Sequence, residues 1–282
     1  MLVALLAQDP SVVQVGRVTA HYWSGEPEVV LTLAEAADAA GSYPGLSEPW
    51  GEPVRLLIVA EKARFDSLTG GQIPEWSIGV AYPASNTIVL RLTGDVRRTL
   101  RHEMAHLALH SIVERIPVWF EEGYASRAAG EWGRLDALRV NWALMVGVVP
   151  SFGQVNRDIR GGAAHAQTAY ALATAAVLLL ERLGGDRGLE SLLVNLAESQ
   201  DFDRALRATH HVTLGQFEVL WQRDLRKRYG WVLFFGSLTA FWTFLAILLL
   251  SLRGLRRRRD DARRAALDQD WVVSSDEWDG IS

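Results

Sequence analysis

Two histidines stand four residues apart with a glutamate between them, in the run His102, Glu103, Met104, Ala105, His106. On a helix, positions i and i+4 share a face with Cβ atoms about 6 Å apart, so both imidazoles can reach one zinc ion at about 2.0–2.1 Å. Glu103 lies about 100° further round, beside such an ion rather than on it. There a carboxylate can take a proton from a metal-bound water and later deliver it to a leaving amine. The chemistry on offer is metal-assisted hydrolysis.

A tetrahedral site needs a third protein ligand and an open position. His110 continues the i+4 series, but it lies about 12 Å along the axis from His102, too far for one ion. Glu121 and Glu122 are the other candidates, on a second helix opened by Pro117. The connection from Glu114 to Ile116 turns that helix back antiparallel to the first. An acidic residue on its inner face then meets the histidine pair.

At this point the sequence resembles the gluzincin metallopeptidases, in particular the peptidase MA-like membrane-associated metallohydrolases. In these, HExxH is followed by Pro-x-Trp-x-x-Glu-Gly-x-Ala, and Pro117, Trp119, Glu122, Gly123 and Ala125 match that form. The resemblance runs from about Val18 to Trp221. It implies a zincin-like α+β fold and one Zn2+ held by His102, His106 and Glu122, with Glu103 activating water and Glu121 on a more exposed face. Gluzincins also supply a tyrosine or histidine to the developing oxyanion. Tyr170 and His165 are the candidates here, both near the start of the long helix after Gly161 and Gly162. By analogy, an extended peptide binds along an edge strand, Asn86 to Leu92. Gly123 and Ala125 fit a close approach of two helices.

One position departs from the pattern. Many gluzincins carry a second acidic residue four places after the glutamate ligand to hold a histidine, and Ser126 stands there. Support for that histidine must come from Ser126, a backbone carbonyl or another carboxylate. His21, His210 and His211 have no partner at ligand spacing and read as ordinary polar residues.

The elements that position these residues follow from periodicity. Val12 to Trp23 and Val54 to Ala60 are β-rich, and Ser77 to Tyr82 with Asn86 to Leu92 form a hairpin around Pro83 to Ser85. Leu31 to Ala40 is helical, and a Gly/Pro-rich turn from Gly41 to Pro53 follows it. From Asp95 the pattern is helical, over 95–113, 117–132, 134–147, 165–184, 186–199, 201–210 and 213–229. A small sheet followed by helices is an α+β arrangement.

Of the 33 acidic and 29 basic residues, none lies between Gly230 and Leu252. That run is long enough, at about 1.5 Å per residue, to cross a hydrocarbon core of about 30 Å. Arginines are denser after it, so the positive-inside rule places the C-terminus in the cytoplasm. The expected organisation is therefore a signal-peptide remnant or disordered N-terminus over 1–11, an extracytoplasmic metallopeptidase-like domain over 12–229, a bilayer-crossing helix over 230–252 and a flexible cytoplasmic tail over 253–282. Met1 to Ala7 is apolar but lacks a charged leader.

The net charge of −4 gives no electrostatic reason to bind nucleic acid. The absence of cysteine excludes zinc ribbons and iron–sulfur clusters. The eleven tryptophans are scattered, as packing residues are. The sequence thus points to a zinc peptidase on a bacterial-type cell membrane, acting on a peptide or protein near the bilayer. Two other readings differ in class: a catalytically silent zincin-fold assembly module, and a metal-dependent amidohydrolase of cell-envelope amides. An intact Glu103 speaks against the silent module.

Overall fold

The computed structural model describes residues 9–47, 50–71, 73–146, 149–229 and 231–270. It divides into two units, Met1–Gly230 and Trp231–Ser282, and the division falls where the charge-free run begins.

The first unit opens on a five-stranded sheet of order β1-β2-β3-β5-β4, with β1 Ser11–Val15, β2 Val18–Tyr22, β3 Val54–Val59, β4 Gly79–Tyr82 and β5 Thr87–Arg91. Helix α1, Pro27–Ala39, connects the parallel pair β2 and β3. Helix α2, Lys62–Thr69, and β4 lie between the parallel strands β3 and β5, while β1/β2 and β4/β5 are antiparallel. The single strand expected over Val12 to Trp23 is a hairpin, because the chain turns at Gly16 and Arg17.

The edge assignment needs correction. β5, not an edge, lies between β3 and β4, with Ile88, Val89 and Leu90 at most 1% exposed. Its unbroken apolar run suits a strand covered on both faces. The free edge beside the active helix belongs to β4.

Helices follow: α3 Val96–His110, α4 Val118–Ala129, α5 Arg134–Val146, α6 Phe152–Ile159, α7 Ala163–Leu183, α8 Glu190–Ser199, α9 Phe202–His210 and α10 Leu214–Tyr229. Asp95 caps α3, its carboxylate accepting from the Arg98 amide at 3.2 Å. The α4 start has a less local cap, the Trp119 amide donating to Asn156 Oδ1 of α6 at 2.8 Å. Trp119 stacks on Phe152 at 4.0 Å and meets Phe202 edge-on at 5.6 Å. Trp119 and Trp221 are buried in the core, in keeping with packing roles.

Gln200, at the left-handed end of α8, clamps the turn between α3 and α4. Its side chain donates to the Ile112 carbonyl at 2.8 Å and accepts from the Glu114 amide at 3.1 Å. Gly123 faces α7 so closely that a Cβ there would lie 2.5 Å from the Ala173 carbonyl oxygen. The close approach expected of Gly123 is thus between α4 and α7.

In the second unit, helix α11 spans Trp231–Asp270. It continues through residues 253–270, where a flexible tail was expected. Alanine and arginine are strong helix formers, and no Gly or Pro follows Gly254 within it. Among the described residues no helix is long and apolar enough to cross a membrane. The expected span 230–252 falls partly outside them, since Gly230 and the side chains of residues 231–238 and 240 are not described. Residues 1–8 of the expected N-terminal remnant and 271–282 of the tail also lie outside the description.

Candidate active site

Helices α3 and α4 bring His102, His106 and Glu122 together, with one donor atom from each lying within 4.8 Å of the others. Glu122 Oε2 is 3.4 Å from His102 Nε2 and 3.7 Å from His106 Nε2. Two ligands at zinc bond lengths in a tetrahedron stand about 3.3 Å apart. The three donors fit one zinc ion, and His110 is turned away from it.

The back faces of the imidazoles are held by two further glutamates. His102 Nδ1 lies 3.2 Å from Glu131 Oε1. His106 Nδ1 lies 3.2 Å from Glu121 Oε1, out of line for a good hydrogen bond. The same Glu121 oxygen is 2.9 Å from His110 Nε2, and His110 Nδ1 is 3.2 Å from the Val113 carbonyl. Glu121 is therefore not idle on an outer face but ties α4 to two histidines of α3.

Glu131 was not singled out from the sequence. Gly130 ends α4 in the left-handed conformation, φ 70°, and the Glu131 amide bonds back to the Ser126 carbonyl at 3.0 Å. That reversal carries Glu131 across to His102. Ser126, one turn past Glu122, is buried on α4 beside Glu131, and it is Glu131 that meets His102 Nδ1. A helix-ending glycine followed at once by an acid was the available signal.

Glu103 is 8% exposed and accepts a hydrogen bond from the Ala81 backbone of β4. Burial raises its pKa, and the two histidines only partly offset this. Burial also works to raise Glu121, yet His106 and His110 outweigh it and pull this carboxyl down to about 2. For Glu122 and Glu131 the histidines likewise prevail over burial and lower the pKa. Burial opposes charge on His102, but Glu122 and Glu131 overcome it and hold its pKa well above the usual value. Four carboxylates around this histidine pair make a site that favours a cation.

Tyr170 of α7 reaches the cluster, edge-on to His102 at 6.2 Å and within hydrogen-bonding reach of Glu122. Burial first, and then the charges of Glu122 and Glu103, raise its pKa far above 10, so it remains a hydroxyl donor. His165 is not brought to the site. It is exposed in the first turn of α7, about 140° round the helix from Tyr170. His102, Glu103, His106, Glu121, Glu122, Glu131 and Tyr170 open onto a cleft of about 1200 Å³, bounded by β4 on one side and the start of α5 on the other.

Residues 51–227 match the family model of the Peptidase MA superfamily. No curated protein matches. Among solved structures, the chain is similar to an M1 zinc metallopeptidase from Deinococcus radiodurans, with 17% identity and a TM-score of 0.41. A glutamate-to-alanine mutant of a Deinococcus radiodurans M1 enzyme bound to a Tyr-Ser-Ala substrate gives 17% identity and a TM-score of 0.39. Each alignment covers 76% of this chain and 51% of the other, so the chain spans about half the length of these structures.

Proposed function

The chain belongs to the Peptidase MA superfamily, and from that premise we propose that it is a zinc-dependent peptidase whose metal is held by His102, His106 and Glu122. The observation that carries this reading is the convergence of three donors within 4.8 Å beside a buried glutamate that is not one of them. A structural zinc site gains nothing from a base in that position.

Zinc, when bound, supplies Lewis acidity toward water and the scissile carbonyl. The residues of the chain do the rest. Glu103 takes the proton of the attacking water and passes it to the departing amine. The Ala81 backbone fixes the Glu103 carboxylate, and Glu131 orients the His102 ring. Tyr170 donates its hydroxyl hydrogen to the oxyanion. The free edge of β4 pairs with an extended peptide, so that the scissile bond lies over Glu103.

The same reading places the domain outside the cytoplasm, tethered by residues 230–252, with its substrate a peptide or protein near the bilayer. Its support is the charge-free run and the arginines that follow it. Peptide cleavage by the zinc-loaded full chain in detergent is expected, and Glu103→Gln should lower kcat/KM by about 10²–10⁴-fold. Equal cleavage by both would exclude Glu103 as the base. A phosphatase fused after Arg264 is expected to be inactive; an active fusion would reverse the orientation.

A further inference from the structure

One face of α5 has no packing partner among the described residues of its unit. Leu135, Leu138, Trp142 and Met145 are 66%, 58%, 64% and 43% exposed. At 100° per residue they fall within an arc of about 80°. Val140 and Leu144 occupy the opposite, buried face, with buried Asn141 between it and the arc, and α5 packs on α7 and α10. Four large apolar side chains in one arc form a patch, unlike apolar residues scattered singly.

Its place in the fold decides what covers it. Trp132, just ahead of α5, packs edge-on against Tyr229 at 6.2 Å. Tyr229 ends α10, and the charge-free run begins at the next residue of the sequence. If that run enters the hydrocarbon, Tyr229 sits in the headgroup layer, which is only about 5–8 Å deep on each side. Trp132 and the start of α5 lie there with it. The exposed arc holds no acidic residue, and the nearby Asp136 is paired with Arg139 at 2.8 Å. Arg134 flanks the arc, and Arg226 and Lys227 are exposed in the last turn of α10, a charge pattern that suits anionic headgroups. A tryptophan between aliphatic side chains suits the interface.

We propose that α5 is an interfacial helix whose face of Leu135, Leu138, Trp142 and Met145 docks into the headgroup–acyl boundary of an anionic bilayer. This rests on the anchoring proposed above. Leu135 and Arg134 also line the cleft, so the site opens at the membrane surface and takes polypeptide segments lying close to it.

The chain contains no cysteine, so single nitroxide labels can be attached to the full chain at Leu138→Cys, Trp142→Cys and, as an exposed control on α8, Glu198→Cys. In vesicles of phosphatidylglycerol and phosphatidylethanolamine, the first two labels should be at least about fivefold less accessible to a water-soluble nickel chelate than the control, and more accessible to oxygen. Labels as wet as the control on vesicle-retained protein would overturn the docking while leaving the anchor intact. Labels shielded from both nickel and oxygen would mean that protein covers the face, which also overturns it. Carbonate extraction tests the anchor separately, using a variant with all four apolar residues changed to glutamine. Retention of that variant supports anchoring through 230–252. Its release, with wild type retained, would leave α5 as the membrane contact without the anchor, and release of both would sink the two together.

Discussion

The two flanks of the cleft are built on opposite terms. Where α3 meets α4, three glutamates face histidines: Glu122 both of the pair, Glu131 His102, and Glu121 His106 and His110. Across the cleft, α5 turns Leu135, Leu138 and Trp142 outward, each more than half exposed. The first flank is over-determined, as a site must be to hold ligands in place. The second leaves apolar area for another surface to cover. A change on the first flank should therefore alter metal binding, and a change on the second should alter where the protein works.

The largest effect is expected from Glu122→Ala, which removes a donor common to both histidines. Zinc retention after dialysis and peptide cleavage should both be lost, whereas Trp142→Gln keeps both. Acid should act next on the same flank. His102 is held protonated well above the usual histidine range in the metal-free chain, so zinc must displace a proton on binding. Apparent zinc affinity should then strengthen as pH rises toward that pKa, by about tenfold per unit for one proton. Calorimetry in buffers of different ionisation enthalpy measures the proton released.

Glu131→Gln comes third, with zinc affinity expected to fall about 10–100-fold and Ser126→Ala having a smaller effect. Competition with a chelating dye ranks the two, and a larger loss at Ser126 would reassign the support of His102. Gly123→Ala should lower stability by about 1–3 kcal/mol or more, because its methyl meets the Ala173 carbonyl; thermal melts check this. The smallest effect belongs to the open flank. Leu138→Gln with Trp142→Gln should change stability by no more than about 0.5 kcal/mol and leave cleavage of a short soluble peptide unaltered. Loss of that activity would mean that α5 serves the chemistry rather than the location.

What can and cannot be read from the sequence divides for one physical reason, the distance along the chain over which each feature acts. His102 and His106 act through helical spacing, which is local and periodic; the choice of Glu122 over Glu121 comes from the resemblance alone, and the structure brings the three together. Glu131 depends on a left-handed glycine after the helix end, and its partner is 29 residues away along the chain. The sheet edge was misplaced because strand order is a long-range property: Thr87 to Arg91 reads as a strand in any position, and only pairing with both β3 and β4 shows it to be internal. The helix over 134–147 was visible, but its outward face was not. Its apolar residues occupy both sides, so periodicity alone gives no sign of which side is buried.

Metal content of the purified full chain tests the central claim most directly. One zinc per chain is predicted for wild type and for Glu103→Gln, with less than a tenth of that for His102→Ala under the same dialysis. A wild-type chain that takes up no zinc, or a His102→Ala variant that holds it as well, would contradict the account.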